Sequence, residues 1–419
     1  MMMSEDRRTK PHFDFVLLLM MYAMMIIGVL AVAVATYNPA VSADVPLINR
    51  IINSESGRWQ AIFTVASPAA VWFIVSIPYE HFRSYARLYY TAVIGMLLLT
   101  LGTSAIRGVS GWLRVDSLGR MLQPSEFAKI TIIIMLARVM ANNPKPMSSL
   151  SDALRIFAIL AVPAGLTYLQ GEMGSMIVMG VVFYLMLYFG GTDWKWLTIL
   201  FVLAAAGVAV VFAYGLISGS DSYRLQRLIS FLDPSRFPKT GGYQIIQSEQ
   251  AIGSGGMTGV GLFITGSLSQ LNYVPEDWTD FIFATVGEAV GFIGSALIVV
   301  LYLLLLLRML YMARFTYDKF GRMIIIGVLA MQFIHIFQNI AMTIGLMPIT
   351  GIPLPFLSYG GSNLLTNVVG VSLVLNVVKN RSNAMPSYSM PVIMSTTSRR
   401  RGRGRKKIYV NATGSESAR

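Results

Sequence analysis

Apolar residues in this chain fall into ten long runs separated by short breaks rich in polar residues, glycine and proline. The runs lie at about 13–35, 59–77, 88–105, 127–140, 154–169, 173–189, 196–216, 281–312, 323–346 and 364–378. A helix needs about 20 apolar residues to cross the hydrocarbon core of a bilayer, and fewer where neighbouring helices bury it. The pattern therefore predicts an all-α, polytopic membrane protein of about ten transmembrane helices. Lys129 and Arg138 interrupt the fourth run, and Pro163 sits inside the fifth. The first run is too long, and lacks the small-residue cleavage pattern, to read as a removed signal peptide. One connection stands apart. Residues 220–280 are far longer than an ordinary loop, and Tyr223, Phe231, Tyr243, Phe263, Tyr273 and Trp278 spread through them argue for packed structure over disorder.

Composition agrees with the pattern. Of 419 residues, 55% are hydrophobic and 13% charged, against about 25% charged in a soluble domain. The absence of cysteine excludes a disulfide framework, a thiol nucleophile and a cysteine-ligated metal. The three histidines, His12, His81 and His335, are too far apart in sequence to suggest a histidine-rich metal site. The net charge of +13 is concentrated in a run from Arg399 to Lys407. This divides the chain into a membrane domain, 1–385, and a basic, disordered cytoplasmic tail, 386–419. Beside a membrane domain such a tail meets anionic lipid more readily than nucleic acid, and no nucleic-acid partner is expected.

Lysine and arginine are retained on the cytoplasmic side. With both termini inside, Arg7, Arg8, Lys10, Arg83, Arg87, Arg138, Arg308, Arg314, Lys319 and Arg322 lie inside, and they and their like outnumber the cations left outside. That orientation makes 220–280 one large extracytoplasmic loop. It also leaves Arg107, Arg114, Arg120, Arg224 and Arg227 on the outer face, where the insertion rule disfavours them and an anionic head group would not.

Several segments could carry chemistry. Gly-Gly-Tyr-Gln-Ile-Ile-Gln-Ser at 241–248 and Ala-Ile-Gly-Ser-Gly-Gly-Met-Thr-Gly-Val-Gly at 251–261 could cradle a phosphate or simply form a compact re-entrant turn. Val-Pro-Glu-Asp-Trp-Thr-Asp-Phe-Ile-Phe at 274–283 places Asp280 at the water–membrane boundary, where a half-desolvated carboxylate can work as a general base. The bland alternative is that Asp280 or Thr279 caps the following helix, and on the residues alone the cap is favoured. Glu288 lies within the next span, and Glu126 and Lys129 are spaced i,i+3 to form an ion pair. Glu172 occupies the tight turn Gln-Gly-Glu-Met-Gly-Ser at 170–175. His335, flanked by Gln332, Gln338 and Asn339, reads as an interhelical hydrogen-bonding contact more readily than as a proton relay. Three prolines and a glycine pair in Met-Pro-Ile-Thr-Gly-Ile-Pro-Leu-Pro-Phe-Leu-Ser-Tyr-Gly-Gly-Ser, 347–362, forbid a regular helix in an apolar segment. Such backbone is tolerated only where protein buries it or a cavity is lined.

In order along the chain, Gln-Pro-Ser-Glu-Phe-Ala-Lys (123–129), Gly-Tyr-Gln-Ile-Ile-Gln-Ser (242–248), Ala-Ile-Gly-Ser-Gly-Gly (251–256), Thr-Asp-Phe-Ile-Phe (279–283) and Gly-Ile-Pro-Leu-Pro-Phe-Leu-Ser-Tyr-Gly-Gly-Ser (351–362) resemble the shape, elongation, division and sporulation (SEDS) family of bacterial cell-wall proteins. The resemblance covers about residues 12–380, and the motif forms are closer to the elongation branch than to the division branch. It implies a ten-helix peptidoglycan glycosyltransferase of the bacterial inner membrane. Such an enzyme polymerises lipid II, with its site facing outward, beside a class B penicillin-binding protein that supplies transpeptidation. Asp280 matches the family's essential aspartate, which reverses the preference for the cap. Trp112, Glu126, Lys129 and Arg227 match other motif positions. Arg114, Glu172, Gln247, Ser248, Glu288 and Ser358 complete the set expected to bind substrate. Departures from the family pattern occur at 170–175, at 107–112, at Ala289 and at Trp278.

The implied reaction is attack of an acceptor hydroxyl, deprotonated by Asp280, on the anomeric carbon of a lipid-linked donor. Arg114, Lys129 and Arg227 would hold the departing diphosphate; a divalent cation, Mg or Mn, is the one cofactor that this chemistry would admit, with no metal ligands assigned. The rivals are a lipid II flippase, which intramembrane charges and broken helices suit equally, and a septal polymerase of the division branch.

Overall fold

The structure, a computed structural model, describes residues 13–36, 45–102, 111–115, 120–143, 145–218, 230–231, 233–234, 241–271 and 273–380. The tail at 386–419, Arg224 and Arg227 lie outside the described residues. Each of the ten apolar runs is a helix: α1 Phe15–Ala35, α3 Glu55–Ser76, α4 Tyr79–Leu101, α5 Pro124–Asn142, α6 Leu150–Leu169, α7 Met173–Gly190, α8 Trp194–Ser218, α10 Ile282–Arg314, α11 Lys319–Thr343 and α12 Gly361–Asn380. Two short helices that the apolar pattern does not show, α2 Leu47–Asn53 and α9 Gly241–Ser254, lie between them, with a two-stranded antiparallel hairpin of β1 Leu113–Val115 and β2 Arg120–Leu122. Eight of the long helices are long and apolar enough to cross a membrane. The chain is a multi-pass membrane protein.

Two elements differ in character from their sequence signal. The glycine-containing segment 241–254 within the long loop is helical in α9, because Ile245, Ser248 and Ala251 bury one face against its surroundings. Helix α5 crosses the bundle despite Glu126, Lys129 and Arg138, because protein and not lipid surrounds it: Glu126 and Lys129 are each 2% exposed. It packs against α4, α7 and α11. Helices α11 and α12 are likewise central, whereas α3, α4 and α6 turn most of their surface outward.

Close approach and backbone strain appear at two glycines. Gly28 in α1 lies against the carbonyl of Phe356, which a Cβ would meet at 2.2 Å, so the irregular 347–360 segment rests directly on the α1 backbone. Gly291, at φ 66°, breaks α10. The backbone groups freed there are taken up by the 256–261 segment. Val260 N donates to Glu288 O at 2.9 Å and Gly261 N to Ala289 O at 3.0 Å, while Phe292 N donates to Gly256 O at 2.9 Å and Ile293 N to Met257 O at 3.1 Å. In hydrocarbon these groups have no water to turn to, so the break and the loop require each other.

At one end of the bundle Asp14 binds Leu17 N at 2.9 Å and Arg308 Nη2 at 2.7 Å. This fixes the start of α1 beside the end of α10. The turn at 274–281, which precedes α10, therefore lies at the end of the bundle opposite the α1 start. Replacing Gly28→Ala should lower stability by about 1–3 kcal/mol through overpacking against backbone. Thermal unfolding of the purified protein in detergent checks this, and an unchanged melting temperature would contradict the close approach.

Candidate functional site

Four consecutive carbonyls of the turn before α10 are each held by a different group. Asp277 O accepts from Thr285 Oγ1 at 3.3 Å, Trp278 O from Tyr359 N at 2.9 Å, Thr279 O from Ser358 Oγ at 2.6 Å and Asp280 O from Asn339 Nδ2 at 2.7 Å. These partners come from α10, the 347–360 segment and α11, so three separate parts of the sequence meet at this turn. Asn339 Nδ2 also donates to Ile352 O at 2.7 Å, tying the irregular segment to the same point. Ser358 Oγ further accepts from Leu354 N at 2.7 Å, and Gln60 of α3 donates to Ser358 O at 3.3 Å.

Helix α10 starts at Ile282 with Phe281 at its N-cap, and no side chain caps it. Neither Asp280 nor Thr279 therefore occupies the N-cap position of α10. The Asp280 side chain is half-buried at the end of the bundle. A partly desolvated carboxylate on an immobilised backbone is suited to accept a proton.

Below this turn lies a second group of charges. Lys129 Nζ donates to Glu126 Oε1 at 2.7 Å and to His335 Nε2 at 2.9 Å. His335 Nδ1 faces Met331 O at 2.6 Å, a carbonyl that only accepts; Nδ1 therefore carries the proton and Nε2 is the acceptor for the ammonium. His335 and Asn339 are one helical turn apart on α11, so one stripe of that helix holds both the Lys129 ammonium and the Asp280 carbonyl. Glu172 Oε2 is bonded to Ser125 Oγ, and its Oε1 lies under Gly111, where a Cβ would collide with it. Burial pushes the Glu172 carboxyl up; the bond from Ser125 opposes this. Gln170 in the same turn donates to Leu97 O at 2.8 Å, holding the turn to α4.

The remaining candidates are placed as follows. Glu288 accepts from Leu268 N at 2.6 Å, Ser269 N at 2.9 Å and Ser269 Oγ at 2.6 Å, so it anchors the loop after α9. Ser248 donates to Thr343 O at 2.7 Å and joins α9 to the end of α11. Gln247 is half-buried on α9, and Trp112 is half-buried just before β1. Arg114 lies on β1, its backbone opposite Met121; its side chain, like all of Arg227, falls outside the described residues. The structure thus joins Asp280 to Ser358 through the clamped turn, and Glu126 to Lys129 directly. Glu288 and Ser248 serve contacts of their own. Asn339, which the sequence presents only as a neighbour of His335, is the residue whose importance was missed. Its signal is the polar stripe Gln332, His335 and Asn339 on an otherwise apolar helix. Among the described residues no three histidine, aspartate or glutamate side chains converge to hold a metal ion.

A family model described as Cell cycle protein, covering FtsW, RodA and SpoVE, matches residues 14–383. The chain is 31% identical to Peptidoglycan glycosyltransferase MrdB of Escherichia coli K12 over 89% of its own length and 95% of that protein. It is 32% identical to Stage V sporulation protein E of Bacillus subtilis over 88% of its length and 98% of that protein. Among solved structures, it is similar to a chain from a study titled "Structural coordination of polymerization and crosslinking by a peptidoglycan synthase complex". The TM-score is 0.71 at 24% identity, covering 88% of this chain and 98% of that one. The Rod shape determining protein RodA of Thermus thermophilus has a TM-score of 0.63 at 22% identity, covering 88% and 97%. At these identities the two structures speak for the fold alone.

The buried ion pair makes a test independent of activity. Lys129→Met strands the Glu126 carboxylate and should cost about 3–5 kcal/mol. Adding Glu126→Gln should recover part of that loss in the thermal unfolding of the double variant.

Proposed function

The chain belongs to the FtsW, RodA and SpoVE family of cell cycle proteins, and from that premise we propose that it is a peptidoglycan glycosyltransferase that extends glycan strands from lipid II. The reading is supported by MrdB, a relative named for this activity that aligns along nearly its whole length. The single observation that carries the mechanism is the clamped turn, which fixes the backbone of a half-buried Asp280 at one end of the bundle.

In this reading the acceptor sugar's hydroxyl attacks the donor's anomeric carbon. The new glycosidic C–O bond forms as the bond to diphosphate breaks, and the hydroxyl proton passes to Asp280. Direct displacement inverts the anomeric centre and needs no covalent enzyme intermediate. Undecaprenyl diphosphate leaves with both electrons of the broken bond. Lys129 is committed to Glu126 and His335, so we assign the diphosphate to Arg114 and Arg227 and give Lys129 an interior role. A divalent cation would supply further charge to the departing diphosphate, and no step here depends on it. A lipid tail kept between helices would make successive additions effectively intramolecular.

We place the protein in the bacterial cytoplasmic membrane with both termini inside and Asp280 outside. Lys and Arg retention supports this, because Arg83, Arg138, Arg308 and Lys319 lie at the end of the bundle where α1 starts. We assign the chain to cell elongation, on the motif forms at 251–256 and 350–356, and pair it with a class B penicillin-binding protein that crosslinks the strands it makes.

The test is polymerisation of purified lipid II, followed by gel separation of the products, with and without the transpeptidase. Asp280→Ala should lose about 10²–10⁴-fold in rate while remaining folded. Near-normal chains from that variant would remove Asp280 from the base role. Transfer of lipid II across a vesicle membrane without any polymer would favour the flippase.

A further inference from the structure

Of the two acids in the clamped turn, Asp277 is the one whose side chain the mechanism leaves unused. It is 0% exposed, and neither carboxyl oxygen makes a hydrogen bond of normal geometry, although the amides of Asp277 and Trp278 lie close enough to favour its charged form. A carboxylate in such a place is costly, because removing an unpaired charge from water is among the largest penalties in a protein. A neutral carboxyl there costs far less. The charged group that bears on it from outside its own segment is Glu288 of α10, which is of like sign. In its own segment the neighbours in sequence are Glu276 and Asp280, again acids. The groups that reach the turn from α11 and from the 347–360 segment, Asn339, Ser358 and the amide of Tyr359, are uncharged. Glu249 of α9 lies against Gly345.

We propose that Asp277 is a proton-bearing positioning residue: its neutral carboxyl lets the 277–280 turn close into its clamps and hold Asp280, and loss of that proton loosens the turn. The proposal rests on the reading of Asp280 as the base. Burial, with like-charged Glu288 adding to it and the amides of Asp277 and Trp278 opposing, pushes the Asp277 carboxyl up to about 8. The sign for stability follows. The folded form keeps a proton that the unfolded chain gives up near the ordinary aspartate value of about 3.9. Stability therefore falls as pH rises between those two values and stays low above the upper one. An uncharged residue at 277 carries no such penalty, so Asp277→Asn should stabilise the protein at neutral and alkaline pH, the reverse of the usual effect of a buried substitution.

The experiment uses the full-length protein purified in detergent. Wild type, Asp277→Asn and Asp277→Leu are compared in thermal unfolding from pH 6 to pH 9, and in lipid II polymerisation over the same range. Wild type should lose about tenfold in kcat between pH 7 and pH 9, since one titrating group removes a factor of ten per pH unit above its midpoint, with KM little changed. The Asn variant should keep its rate at pH 9 and melt at a higher temperature there than wild type. The Leu variant, also uncharged, should show the same flat melting profile. If wild type and both variants melt in parallel across the range, Asp277 holds no proton and the proposal is wrong. If the melting curves separate but the activity profiles superimpose, the proton does not position Asp280, and the proposal is equally overturned. A wild type inactive at every pH, with separated melting curves, would strike the polymerase reading and leave the proton on Asp277 standing.

Discussion

A carbonyl packed inside protein has no water to bond, and the turn that carries Asp280 holds four carbonyls in succession that the surrounding chain must satisfy. Each is met by a different donor: a threonine of α10, a backbone amide and a serine of the 347–360 segment, and an asparagine of α11. That requirement organises this end of the molecule. It explains why the 347–360 segment is irregular, since a helix there would turn its amides inward to its own carbonyls and leave none for Trp278. It also explains why polar side chains lie deep on α11, where an apolar residue would leave Asp280's backbone unpaired.

The same rule operates at the break in α10. Gly291 interrupts the helix, and the 256–261 segment supplies the donors and acceptors that the helix gives up. Glu288 on the preceding turn then binds the amides of Leu268 and Ser269, fixing the remainder of that loop. The long loop is thus a structural partner of α10, and its glycines serve close backbone contact with the helix.

The interior charges are arranged so that Lys129 lies between an acid and a neutral imidazole. Ion pairs of this kind contribute little net stability over an apolar core and are very costly to break. Their effect here is geometric: they hold α5 to α11 along the stripe that, one turn further on, reaches Asp280. Two relatives of different name, Peptidoglycan glycosyltransferase MrdB and Stage V sporulation protein E, align with this chain at similar identity, which fits a shared bundle.

Much of this was legible in one dimension. Ten apolar runs became ten helices because hydrophobic length is a local property that the bilayer reads directly. The pairing of Glu126 with Lys129 was legible for the same reason, since i,i+3 neighbours on a helix face the same way. Asp280 stood out by its place before an apolar run, but the choice between cap and base did not follow from that. The folded chain starts α10 at Ile282, which puts Phe281 and neither Asp280 nor Thr279 at the N-cap position. The long-range partnerships of Asn339 with Asp280, His335 with Lys129 and Ser358 with Thr279 are likewise decisions of the folded chain. They join residues far apart in sequence, and a buried polar group shows only that it needs a partner, never which one the packing will bring.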